Sequence, residues 1–109
     1  MNIYDKAYEL ADAIKASEEW KDIQAAKAIL QNDKNAEKMY IEFRTKQMQL
    51  QQMQMAGQQI SDEDKSTLQK QFEIILMNND VKKLIEAENK FGVILEDVQK
   101  ILFEAMSVQ

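Results

Sequence analysis

The chain has 109 residues, 45% hydrophobic and 30% charged, with fourteen basic against nineteen acidic side chains, a net charge of -5, no proline, cysteine or histidine, and two glycines. Without histidine or cysteine it lacks the easiest general base near neutral pH, a thiolate nucleophile, disulfides and the commonest zinc and iron–sulfur ligands, so no catalytic residue, cofactor site or metal site is expected. The acidic balance, with lysines spread from Lys6 to Lys100 rather than clustered, argues against direct nucleic-acid binding, and no apolar run approaches the roughly 20 residues of a membrane span.

Helix formers dominate, and the breaks are read from caps and glycine. Asn2 is a candidate N-cap for a first helix with Ala7, Leu10, Ala11 and Ile14 along one face. Ser17, followed by Glu18 and Glu19, predicts a second N-cap and a helix carrying Trp20, Ile23, Lys27 and Leu30; a kinked continuous helix through Ser17 is the competing reading. Gln31 to Asn35 is a turn with Asp33 as cap, and a helix pattern then runs to Gly57. In this third helix Ala36, Met39, Phe43, Leu50 and Met53 form one band, interrupted by Lys46. Ile41, Met48 and Met55 repeat every seven residues along a second line. At 100° per residue that line lies roughly 140° from Ala36, so this helix needs two neighbours.

Gly57 to Ile60 reads as a turn, with Gly57 as C-cap and Ser61-Asp62-Glu63-Asp64 as a capping-box-like start. The fourth helix carries Leu68, Phe72 and Ile75, with Leu76 and Met77 broadening the band, and Asn78-Asn79-Asp80 interrupts it. From about Val81 the last helix shows a heptad seam of Leu84, Glu88, Phe91, Leu95, Val98, Leu102 and Ala105, with Gly92 marking close packing. No strand alternation survives. The expected fold is all-α, a single domain over 1–109 with four to five helices in an elongated antiparallel helical bundle with coiled-coil-like seams.

Glu88 is the polar exception in the last seam. It reads as a buried carboxylate that fixes register by pairing with Lys46 or Arg44, or alternatively as the polar anchor of a small-molecule or metal site. Arg44 is the only arginine and reads as half of a salt bridge. Asp62, Glu63 and Asp64 lack the spacing of a calcium loop and read as helix-capping acids. The glutamine- and methionine-rich run from Gln47 to Met55 reads as a hairpin or dimer seam of flexible side chains. Candidate assembly residues are Ile41, Met48, Met53, Met55, Phe91 and Leu95, and a homodimer or higher oligomer is expected, because the two lines of the third helix and the last seam offer more apolar surface than one thin bundle can bury.

Ile3 to Ala11 with Ser17-Glu18-Glu19, Phe43 to Gln54 ending at Gly57, and Leu84-Ile85-Glu86-Ala87-Glu88 with its amphipathic tail resemble the YlbF/YmcA/YheA family of small helical bacterial proteins, most of all its YheA branch. The resemblance implies a cytoplasmic, self-associating protein of Gram-positive type. It also implies a non-enzymatic role akin to regulators of competence, sporulation and biofilm formation, with protein partners in RNA decay or developmental regulation. Some of those relatives carry cysteines that ligate an iron–sulfur cluster; this chain has none, so cluster binding is not carried over.

Overall fold

The computed structural model describes residues 2–107. They form five α-helices and no strand: α1 (Ile3–Lys15), α2 (Glu18–Leu30), α3 (Lys34–Met55), α4 (Asp62–Ile75) and α5 (Asn79–Met106). Each start is held by a short polar side chain that accepts an otherwise orphaned backbone N–H. Asn2 Oδ1 accepts from Asp5 at 2.9 Å, Ser17 Oγ from Trp20 at 3.2 Å, Asp33 Oδ1 from Ala36 at 3.1 Å, and Ser61 Oγ from Asp64 at 3.0 Å. Asn78 Oδ1 accepts from both Asp80 and Val81. Because Asn78 is itself the cap, α5 begins at Asn79, two residues before the start read from the apolar pattern.

Ser17 decides between the two readings of the N-terminal segment. Its hydroxyl donates to Ile14 O at 2.6 Å while accepting from Trp20 N, so the chain leaves one helix and caps the next at a single residue. The end of α3 is a Schellman turn: Gln58 N donates to Met53 O at 2.9 Å and Gly57 N to Gln54 O at 3.0 Å. Gly57 has φ +80°, where a Cβ would be strained. Gly92 differs from expectation, since a Cβ there would meet nothing within 4 Å; no close packing within the described residues accounts for it.

The chain's contacts gather into two compact units, Met1–Lys27 with Leu84–Gln109, and Ala28–Lys83. In the first, Ile23 and Ala26 of α2 and Leu84, Ile85 and Ala87 of α5 are buried, and Trp20 meets Phe91 with ring centroids 5.3 Å apart. α1 contributes no buried residue. The second unit is built on the α3–α4 hairpin, closed by the Gly57 turn and filled by Ala36, Phe43, Leu50 and Ile75, with Leu30 and Val81 also buried. Phe43 and Phe72 pack at 5.5 Å between centroids. Leu76 is half-buried as expected, but Met77 is exposed, because α4 ends at Ile75 and the helical spacing that placed Met77 in the band stops there.

Candidate interaction surface

The buried band of α3 runs through Ala36, Phe43 and Leu50, with Met39 and Met53 half-buried beside it. Met53 therefore belongs with the core side of the helix. The second line stays open: Ile41 is 54%, Met48 58% and Met55 88% exposed. Ile74 at the end of α4 and Met77 beyond it add exposed apolar side chains to this unit. Lys46, which interrupts the buried band, sends its ammonium 3.4 Å to Asp64 Oδ1. The partner suggested for Lys46 was Glu88. Asp64 takes that role because the hairpin brings the start of α4 beside α3, a return that helical periodicity along one segment does not encode.

Arg44 has partners within its own helix. Its Nε donates to the Tyr40 hydroxyl at 3.0 Å and its Nη1 to Gln47 Oε1 at 2.7 Å, and the guanidinium carbon lies 5.3 Å from the Tyr40 ring centroid and 5.8 Å from that of Phe43. These are i,i+3 and i,i+4 neighbours on one helical face. Glu88 is half-buried on α5 and engaged. Among the described residues no group of three or more acidic, histidine or cysteine side chains gathers as a metal site would.

A groove of about 430 Å³ opens along the α3–α4 hairpin. Phe43, Leu50, Ile60, Leu68 and Phe72 form its apolar wall, and Gln47, Gln51, Gln54, Gln69 and Lys65 its polar edge. Four amides and one ammonium can hydrogen-bond a passing polar group, but they supply neither a nucleophile nor a carboxylate for acid–base work.

In the first unit, Phe91 is half-buried against Trp20, and Leu95, one turn further on, is exposed. Sequence periodicity did not single out the rest of the open apolar surface here. Ile3, Tyr4 and Tyr8 of α1 and Ile101, Phe103 and Met106 of α5 are all exposed. The available signal was the breadth of the apolar face on each helix, which is wider than one neighbour covers.

These features define a small all-α protein distinguished by apolar helix surface left open to solvent, with no described helix long and apolar enough to cross a membrane. The chain belongs to the family described as control of competence regulator ComK, YlbF/YmcA, whose model matches residues 3–107. It is 37% identical over 108 residues to a UPF0342 protein of Caldicellulosiruptor saccharolyticus, covering 99% of this chain and 90% of that one. It is 41% identical over 105 residues to a UPF0342 protein of Alkalihalophilus pseudofirmus, covering 96% and 89%. Among solved structures it is similar to a protein of unknown function (DUF964) from Bacillus stearothermophilus, with a TM-score of 0.83, 25% identity, and 95% and 91% of the two chains covered. None of these names is that of an enzyme.

Proposed function

We propose that this protein is a non-enzymatic, self-associating regulator that acts in the cytoplasm by presenting helical surfaces to copies of itself and to other proteins. One observation carries the reading. Among the described residues eleven hydrophobic side chains are buried, whereas sixteen large ones are exposed. A monomer rarely leaves that much apolar surface wet, and the usual cover is another protein. The family description, control of a competence regulator, supports a regulatory role, and the resemblance to regulators of sporulation and biofilm formation favours protein partners in developmental regulation or RNA decay. A net charge of -5 supports protein rather than direct nucleic-acid partners.

Sedimentation velocity at low micromolar concentration tests the assembly part of the reading. A dimer or larger species is expected, and a monomer throughout the range refutes it. Loss of the gene in its native host is expected to alter competence or development without removing any metabolic conversion.

A further inference from the structure

The heptad seam of α5 is covered at one end and bare at the other. Leu84 is fully buried, but Leu95 is 39% exposed, Leu102 50% and Met106 65%, with Val98 between them half-buried, all within one compact unit and along one side of one helix. The seam does not turn polar where its cover ends. Counted in heptads from the seam, the flanking positions are Ile94 and Ile101 on one side and Gly92, Gln99 and Met106 on the other, so the stripe is uncharged across its whole width. Coiled-coil helices that meet a single neighbour ordinarily carry charges at those flanks. An uncharged flank on both sides is the pattern of a helix that packs against two neighbours, and its own unit does not supply the second.

The first helix of this unit has the same deficit. α1 is 13 residues long and buries nothing, although Ile3 and Leu10 share one face with Ile14 and the tyrosines 4 and 8 widen it. A helix of about that length is marginal in water without tertiary support.

We infer that the open apolar stripes of α1 and of the second half of α5, from Leu95 to Met106, which belong to one compact unit, are the seat of a second copy of this chain, joined about a two-fold axis. The inference rests on the self-association reading above and assigns it a surface. Three observations choose a second copy as occupant. Taking roughly 200 Å² for a large apolar side chain, the open side chains of this face present on the order of 800 Å², about what each partner of a standard stable interface buries. Two chains of net charge -5 repel unless they meet where neither carries charge, and the acidic residues Glu96, Asp97 and Glu104 all lie off the stripe. Charged flanks are also what select a foreign helix, and the α5 stripe has none; an uncharged heptad stripe is complementary to its own copy, as a two-fold interface requires.

The test compares wild type, Leu102→Lys and Met48→Lys by sedimentation, with helicity followed by circular dichroism. The expected result is a wild-type dimer, a Leu102→Lys chain whose dissociation constant rises roughly 30-fold or more with its helicity intact, and a Met48→Lys chain that still dimerises as wild type does. A Leu102→Lys chain that associates like wild type overturns the inference. Dissociation by Met48→Lys alone also overturns it while leaving self-association standing, whereas a wild-type monomer overturns both. If Leu102→Lys loses helicity, Leu95→Cys decides. The chain has no other cysteine, so a short bis-maleimide that joins two copies through residue 95 supports the assignment, and failure to join a dimeric sample overturns it.

Discussion

Trp20 of α2 and Phe91 of α5 meet with ring centroids 5.3 Å apart and planes inclined at 50°. The contact joins two residues seventy-one positions apart and pins α2 to α5 where the core of Ile23, Ala26, Leu84 and Ala87 gives way to open surface. Trp20 is the only tryptophan, so its emission reports on this unit alone. Phe91→Leu keeps the apolar volume close but removes the ring pair. It is expected to cost about 1 kcal/mol and to shift Trp20 emission, measured by fluorescence-detected urea unfolding.

Leu84 and Met55 are opposite cases of the same residue class. Leu84→Ala empties a fully buried site and is expected to destabilise by about 2–5 kcal/mol. Met55→Ala, at an exposed position, is expected to stay within about 0.5 kcal/mol of wild type. Urea midpoints followed by circular dichroism check both, and equal losses would contradict the division of apolar residues into core and surface.

Gly57 holds φ +80° at the Schellman turn that ends α3. Gly57→Ala places a Cβ in left-handed backbone and is expected to lower stability by about 1–2 kcal/mol. The cap at the other end of α3 gives an independent comparison. Asp33→Ala leaves the Ala36 N–H without its acceptor and is expected to cost about 1 kcal/mol, whereas Asp33→Asn, which keeps an acceptor, should recover most of it.

Lys46 and Asp64 form the ion pair of the α3–α4 hairpin, with both side chains about one-third exposed, 32% and 34%. Solvent reaches both partners, so a double-mutant cycle with Lys46→Met and Asp64→Asn is expected to return a coupling below about 1 kcal/mol that shrinks as salt is added. A large, salt-insensitive coupling would contradict this geometry.

Gln71 has its side-chain oxygen buried with no hydrogen-bond partner among the described residues. An acceptor taken from water without replacement costs about 1–3 kcal/mol. Gln71→Met, which keeps the length and removes the acceptor, is therefore expected to raise the urea midpoint, and a lowered midpoint would show that the oxygen is satisfied in solution.

Much of the local structure was legible in the chain because its causes lie within a few residues. Asn2, Ser17, Asp33 and Ser61 each cap a helix three residues ahead through their own side chains, and Gly57 ends one through its own φ. The boundaries that shifted, at Ile75 and Asn79, lie on either side of Asn78, which was read as an interruption and acts as the cap of α5. The candidate surface was half legible. The line of Ile41, Met48 and Met55 was visible as a second apolar face and the α5 seam as surplus apolar surface, but Met53, read in the band with Phe43 and Leu50, was also counted among the assembly residues although it is half-buried, and the open face of α1 was not singled out.

The sequence by itself determined four to five helices, four of their caps, their apolar stripes and the absence of histidine and cysteine chemistry, since all of these depend on residue type and on spacings of three, four and seven. Only the tertiary structure decided which stripes are covered. Leu84 and Leu102 occupy equivalent positions of one seam, yet the first is fully buried and the second is half exposed. Exposure depends on what a distant segment brings alongside, and helical periodicity repeats identically whether or not a neighbour arrives.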